Sequence, residues 1–314
     1  MITVLTGGTG GAKFVDALRQ LLPARQLTLI VNTGDDLEWW GLHVSPDLDS
    51  IMYVLAGMLS KERGWGVDGD TFECLDAMGR MGAPAWFRVG DRDLATHLAR
   101  TQLLAAGRTL TQATAEIAAA LGVPSRILPM SDARVETRVA TPEGELSFQE
   151  YFVRERYRPE VRSVRFVGAE QASPAPGVLE AIAHASAVVL APSNPITSIG
   201  PILAVPGIRE ALRATGAPVA AISPIVGGAA VSGPAGALMA AQGLPVSIAG
   251  VAQAYDDFLD LLIVDERDAE AAVALRDSGL HVHCAQTIMK TSTDKAALAA
   301  TVLELVTPSA ARAG

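Results

Sequence analysis

Apolar positions along this chain fall into two alternating patterns. Short runs, apolar but for the β-branched Thr3 and Thr28, recur at Ile2 to Leu5, Leu27 to Val31, Ala187 to Leu190, Pro218 to Ile222 and Leu261 to Val264. A run without regular polar alternation predicts a strand buried on both faces, as in a parallel sheet. Between the runs lie helix-length segments, the first being Phe14 to Leu22, whose apolar residues recur at helical spacing. Repetition of strand, loop and helix predicts an α/β fold, a Rossmann-like doubly wound and mainly parallel sheet. From residue 47 to 122 the period is helical throughout, with Ser50 to Leu59, Thr71 to Met81, Leu94 to Leu104 and Leu110 to Leu121 as the segments. This reads as a helical insertion in a single domain of residues 1–314, whose core sheet is drawn from about 1–46 and 123–306. Val135 to Val139 and Glu145 to Phe148 alternate around Pro142 to Gly144 and predict a hairpin. The Pro/Ala/Gly-rich stretch Ala172 to Gly177 is too short for a flexible linker, and the Ala/Gly-rich tail from Thr307 is expected to fray.

Composition narrows the function classes. With 49% hydrophobic and 19% charged residues the chain is globular, since a disordered chain needs the reverse balance. The formal charge of −9 repels phosphate backbones and anionic membranes, which argues against nucleic acid as a partner. The apolar stretch Ala181 to Ala191 is interrupted by His184 and Ser186 and stopped by Pro192, well short of the roughly 20 residues of a membrane span. The opening MITVLTGGTGG lacks the basic region of a signal peptide, so a cytoplasmic location is expected. Cys74 and Cys284 stand far apart without a CxxC partner, which fits a reducing compartment.

The first chemical signal is TGGTGGAK, Thr6 to Lys13, between the first strand and the first helix. Here Gly7, Gly8, Thr9, Gly10 and Gly11 can turn successive backbone N–H groups toward one anion, with Lys13 and the helix N-terminus adding positive charge. Neither standard fingerprint is met, because Lys13 replaces the third glycine of GxGxxG and no GxxxxGK[ST] can be drawn. A tight turn that merely needs glycine is the simpler alternative.

The second signal is NTGDD, Asn32 to Asp36, at the end of the second strand, followed by SPDLDS, Ser45 to Ser50. Carboxyl ends of strands face the ligand crevice in such sheets, so Asp35, Asp36, Asp47 and Asp49 are expected beside the glycine loop. Carboxylates next to a phosphate cradle call for a cation, and Mg²⁺ on Asp36, Asp47 and Asp49 is the expected cofactor. Ser45 to Asp47 also reads as a helix start, with Ser45 as N-cap, Pro46 at the first position and Asp47 against the positive helix end.

In order along the chain, TGGTGGAK, NTGDD, GLHVSPDLDS, IMYVLAG, WFRVGDRDLATH (Trp86 to His97), APSNPITSIGPILAVPGIREAL and SPIVGGAAVSGPA closely resemble the 2-phospho-L-lactate transferase family of coenzyme F-420 biosynthesis. The resemblance spans nearly the whole chain. It implies an Mg²⁺-dependent transfer of a phospho-acid group from a guanosine-diphosphate-linked three-carbon acid to the ribityl hydroxyl of the deazariboflavin Fo, with release of GMP. The acid is phospholactate in archaeal members and phosphoenolpyruvate in actinobacterial ones. It further implies that Asp49 and Arg88 contact Fo and carry the catalytic work, the carboxylate orienting or deprotonating the hydroxyl and the guanidinium holding an acceptor or phosphate oxygen. The guanosine portion is expected near Ser193 and Asn194, and Gly227 and Gly228 offer N–H groups to a second anion. The glycine pair is followed by Ala229 and Ala230 where many relatives carry a lysine, which leaves the donor acid open. A homodimer is implied by resemblance alone.

Trp86 and Phe87 read as packing in preference to flavin stacking, and Arg88 could pair with Asp91 or Asp93. His97 is a ligand candidate only through its place in the family block. His281 and His283 share one face of a candidate strand, yet no third ligand for zinc accompanies them. Two rival classes remain. The gluconeogenesis-factor family shares the glycine loop and the aspartate pair but binds a nucleotide-sugar as a regulator; SPDLD and WFRVGDRD favour the enzyme. An NAD-linked oxidoreductase is disfavoured by the missing third glycine.

Overall fold

The computed structural model describes residues 1–307, so of the tail expected to fray only Thr307 lies among the described residues. Seven parallel strands form the central sheet: β1 (Ile2–Thr6), β2 (Leu27–Val31), β3 (Arg126–Pro129), β4 (Ala187–Leu190), β5 (Val219–Ile222), β6 (Leu261–Asp265) and β7 (His281–Ala285). Their order is β7-β6-β5-β4-β1-β2-β3. This is the doubly wound arrangement with its reversal between β1 and β4, and a ligand crevice forms at such a reversal.

Side chains alternate across the sheet as strand geometry requires. Leu5, Ile30, Val188 and Leu190 enter the core on one face, while Ile2, Val4, Leu27, Leu29, Val31, Ala187 and Val189 enter the core on the other. On the second face lie α1 (Gly8–Leu21), α2 (Pro46–Ala56), α5 (Leu110–Ala120) and the helix Ser292–Val306. The helical segment is therefore less of an insertion than its pattern suggests. Leu48, Ile51 and Met52 of α2 and Leu110 and Ile117 of α5 are part of the main core, and only α3 (Glu73–Arg80) and α4 (Asp93–Ala105) stand outside it in large part.

Two aspartates organise those outer helices. The Asp91 carboxylate accepts from the backbone N–H groups of Glu73 and Cys74 at the start of α3. The Asp70 carboxylate does the same for Arg92 and Asp93 at the start of α4. Each satisfies N–H groups that a helix start leaves without partners.

The expected hairpin is present as Glu136–Thr141 paired with Gly144–Ser147, and Ser163–Val167 adds a third antiparallel strand. A second hairpin, Leu37–Trp39 with Leu42–Val44, carries no alternating pattern that would announce it. Its two-residue turn places Trp40 (φ +52°) and Gly41 (φ +77°) in the left-handed region, as a hairpin turn of this length demands. Trp39 packs edge-on to Trp86 at 4.9 Å and to Phe87 at 5.7 Å, so both aromatics of the WFRVGDRD block serve packing. Ala172 and Ala175 are buried, which makes the Pro/Ala/Gly-rich stretch part of the core.

Candidate active site

Four segments meet at the carboxyl ends of β1, β2 and β4: the glycine loop, NTGDD, the start of α2 and the loop Pro192 to Ser198. The Ser193 hydroxyl donates to the Gly7 carbonyl at 2.7 Å, which fastens the loop after β4 to the loop after β1. Asn32 is the hub. Its Nδ2 lies 3.1 Å from Asp35 Oδ2, 2.9 Å from Asp47 Oδ2 and 3.2 Å from the Thr197 carbonyl, while its Oδ1 accepts from the Gly34 N–H.

The glycine loop is more tightly packed than an open anion cradle. Gly8 has φ +65°, which favours glycine, and its N–H donates at 2.7 Å to Asp47 Oδ1. A Cβ at Gly10 would run into the Pro192 carbonyl, and one at Gly11 into the Thr6 and Ser193 hydroxyl oxygens. Gly10 and Gly11 thus allow the close helix-to-strand approach that the third glycine of a dinucleotide fingerprint provides. Thr9 and Lys13 lie exposed on α1.

The helix-start reading of SPDLD needs a correction. Pro46 does open α2, but the Ser45 side chain caps nothing. Instead its hydroxyl donates at 2.7 Å to Asp36 Oδ2, an oxygen that also lies 3.0 Å from His43 Nε2. Asp47, in the first turn of α2, spends its carboxylate on Asn32 and on Gly8 at the start of α1.

Electrostatics sets these carboxylates apart. Burial, with the neighbouring Asp47 charge, raises Asp35 well above the usual carboxylate range. Burial likewise raises Asp36 against the opposing bonds from His43 and Ser45. Asp47 is pushed up to about 6, first by burial and then by the charges of Asp36 and Asp49, against the bonds from Asn32 and Gly8. Asp35 Oδ1 and Asp36 Oδ1 are buried without a hydrogen-bond partner among the described residues. Unpaired buried oxygens on mutually repelling carboxylates are the setting a divalent cation relieves.

Asp49 does not join them. Both its oxygens are taken by the guanidinium of Arg100, with Nη1 at 3.2 Å from Oδ2 and Nη2 on Oδ1. Asp36, Asp47 and Asp49 therefore do not form one ligand set. Among the described residues no three His, Cys, Asp or Glu side chains converge to hold a metal, His281 and His283 included.

Arg88 stands elsewhere. Its guanidinium lies over the Phe72 ring, 4.4 Å from the centroid, and lines a cavity of about 570 Å³ with Leu75, Asp76, Gly79, Arg80 and Ala85. It pairs with neither Asp91, which is bonded to the start of α3, nor Asp93, which accepts from the Tyr53 hydroxyl at 2.6 Å. No hydrogen bond or ion pair joins Arg88 to Asp49 among the described residues.

Of the residues expected near the nucleotide, Ser193 is tied to Gly7, and Asn194 turns its Oδ1 back to the Ile196 and Thr197 N–H groups. Asn194 is a turn residue. At the second glycine pair, Gly227 (φ +58°) and Gly228 (φ +77°) form the turn of a small hairpin between Ile225–Val226 and Ala229–Ala230. The Gly227 N–H already donates to both carboxylate oxygens of Asp268, each at 3.0 Å.

Sequence reasoning missed Arg100, His43 and Tyr53. A signal existed for part of this: Asp93, His97 and Arg100 recur at i, i+4 and i+7 on α4, and Asp49 and Tyr53 at i and i+4 on α2. Two helices carrying polar residues on one stripe each can bury them only against one another.

The chain matches the profile of the family described as 2-phospho-L-lactate transferase CofD over residues 2–305. It is 44% identical over 292 residues to a 2-phospho-L-lactate transferase from Methanosarcina mazei, covering 93% of this chain and 95% of that protein. It is 47% identical over 310 residues to a phosphoenolpyruvate transferase from Streptomyces griseus, covering 97% and 98%. A crystal structure of a UPF0052 family member from Bacillus halodurans superposes with a TM-score of 0.66 at 16% identity, covering 96% and 98%, a likeness of fold.

Proposed function

Since the chain belongs to the 2-phospho-L-lactate transferase family, we propose that it moves a phospho-acid group from a guanosine-diphosphate-linked three-carbon acid to the hydroxyl of the deazariboflavin Fo. The step forms an ester between the Fo oxygen and the phosphorus, breaks the bond to the nucleotide phosphate and releases GMP, the hydroxyl proton leaving to the departing phosphate or to water, in coenzyme F-420 biosynthesis. The observation that carries this reading is the similarity along almost the full length of both chains to relatives that are themselves transferases.

The crevice suits the chemistry. Mg²⁺ would be held by Asp36 and Asp47, beside Asp35, because burial raises all three carboxyls and Asp35 and Asp36 each keep an unpaired oxygen. When bound it neutralises phosphate charge in the transition state. Asp49 and Arg88 serve the acceptor, the carboxylate orienting the attacking hydroxyl and the guanidinium gripping an Fo oxygen. The protein acts in the cytoplasm as a homodimer.

The donor acid is decided by experiment, because relatives named for two different acids match almost equally well. Purified protein is incubated with Fo, Mg²⁺ and guanosine-diphospho derivatives of lactate, enolpyruvate and glycerate in turn, and the product mass is read. One donor is expected to give product and GMP, and chelation with EDTA to abolish both. Failure with every donor at saturating Fo and Mg²⁺ would replace this reading with that of a nucleotide-sugar-binding regulator.

A further inference from the structure

Asp49 sits on α2, and everything that fixes its carboxylate comes from α4. Arg100 is among the largest fully buried side chains of the described residues, at 0% exposure, and it meets both Asp49 oxygens. Its Nη1 also lies 3.4 Å from the His43 carbonyl, which ties α4 to the Leu42–Val44 strand. On the same stripe of α4, His97 stands with Nδ1 at 3.5 Å from Asp49 Oδ2 and Nε2 at 3.5 Å from Asp93 Oδ1. Asp93 in turn accepts from Tyr53, one turn along α2 from Asp49, and that hydroxyl also lies 2.8 Å from Thr96.

A guanidinium removed from water is costly, and its planar fork fits a carboxylate in one geometry only. The fork therefore fixes the Asp49 rotamer and fills one acceptor site on each oxygen, leaving a second site on each. Two charge-assisted bonds set the plane of the carboxylate, and the His97 ring stands against one of its edges.

We propose that Arg100 is the positioning residue for Asp49, presenting its carboxylate to the acceptor hydroxyl as a fixed hydrogen-bond acceptor. Fully buried, Arg100 touches no substrate and acts on the acceptor through Asp49, while its contact with the His43 carbonyl holds the neighbouring strand. This inference rests on the reading that Asp49 serves the acceptor, and it makes that service one of alignment: the guanidinium takes one acceptor site on each oxygen and fixes where the remaining sites face the hydroxyl. A misdirected carboxylate then weakens Fo binding and alignment while leaving the donor untouched.

The test compares Arg100→Lys, Asp49→Asn, Arg100→Gln and the double variant Asp49→Asn/Arg100→Gln, each as full-length protein checked by its thermal melt. Fo affinity is read directly from the fluorescence of Fo without donor, and KM for Fo and for donor from turnover. Arg100→Lys keeps the charge but loses the fork; Fo affinity is expected to fall about tenfold or more, with donor KM within about twofold of wild type. The double variant removes both charges at once, so no buried charge is left unpaired even where Arg100→Gln alone fails to fold. Its Fo affinity is expected to equal that of Asp49→Asn, since Asp49 is the one Arg100 partner that the proposal places against Fo. Wild-type Fo affinity in a folded Arg100→Lys protein, an equal rise in donor KM, or a further loss in the double variant beyond Asp49→Asn would each overturn the proposal. Wild-type protein that binds Fo yet transfers from no donor would instead sink the proposed function, an outcome these binding comparisons do not depend on.

Discussion

Asp47 lets the fold be read by pH. Its carboxyl is raised from the ordinary 3.8 to about 6 by burial and by the charges of Asp36 and Asp49. A raised folded value means that the folded state holds the proton more tightly than the unfolded chain. This contribution to stability is complete below pH 3.8 and is lost as pH climbs through 6. The shift corresponds to about 3 kcal/mol. Asp47→Asn removes the charge but turns an NH2 onto the Gly8 N–H or the Asn32 amide, so the pH trend carries the test: without metal its melting temperature relative to wild type should stand highest at pH 7.5. The difference should fall toward pH 4, and melts of both proteins across that range check it; parallel curves would show that Asp47 is not held against its charge. Mg²⁺ should raise the wild-type melt at neutral pH and have little effect once the carboxyls are protonated. Within one residue class, legibility varied widely. The aspartates of NTGDD and SPDLD were visible as a cluster because strand ends of this fold face one crevice. That Asp49 belongs to Arg100 was not, because a single arginine in a helical pattern reads as solvent-facing until its partner helix is known.

At the scale of elements, the runs Leu27 to Val31 and Ala187 to Leu190 matched their strands end to end. Burial on both faces leaves these strands apolar but for the β-branched Thr28, and polar residues mark most of their ends, Gln26 and Asn32 on one and Ser186 on the other. Hydrophobic pattern failed for the Leu37–Trp39 and Leu42–Val44 hairpin, whose few apolar residues bury against Trp86 and Phe87 from a distant segment. Pattern also missed that α2 and α5 belong to the main core, since periodicity marks an apolar stripe and not what the stripe meets. The glycine loop is testable in the same terms. Gly11→Ala places a methyl group against the Thr6 and Ser193 hydroxyls, and Gly10→Ala one against the Pro192 carbonyl. Each should cost about 1–3 kcal/mol in urea unfolding, the usual penalty of overpacking. Gly216→Ala, where a Cβ meets open space, is the control and should leave stability within about 0.5 kcal/mol. Asp70→Ala removes the carboxylate that receives the Arg92 and Asp93 N–H groups, and should cost about 1–2 kcal/mol.

Across the whole molecule, the strand order brings together segments far apart in sequence, with Gly7 and Ser193 in one hydrogen bond. The doubly wound sheet with its reversal at β1 and β4 explains why the site is assembled from loops and why no single motif announces it. Among the described residues no helix is long and apolar enough to cross a membrane. A homodimer predicts a sedimentation coefficient independent of concentration across the micromolar range at twice the mass of 32.7 kDa. A monomer over that range would remove the dimer. Lys13→Ala should weaken donor binding and spare Fo; an unchanged donor KM would leave the glycine loop a turn alone.

The turn at Gly227 arrives with its amide in use. Because Asp268 chelates that N–H with both oxygens, a ligand anion reaching for it performs an exchange: one carboxylate leaves as another acid group enters. Little is then gained in hydrogen bonding, and the Asp268 charge repels the newcomer until it swings away. Occupancy of the turn therefore depends on where Asp268 goes. Asp268→Asn, a weaker competitor for the same amide, should hold an anion there more tightly than wild type, by isothermal titration with inorganic phosphate. Equal affinities in the two proteins would mean that the turn keeps its own carboxylate throughout.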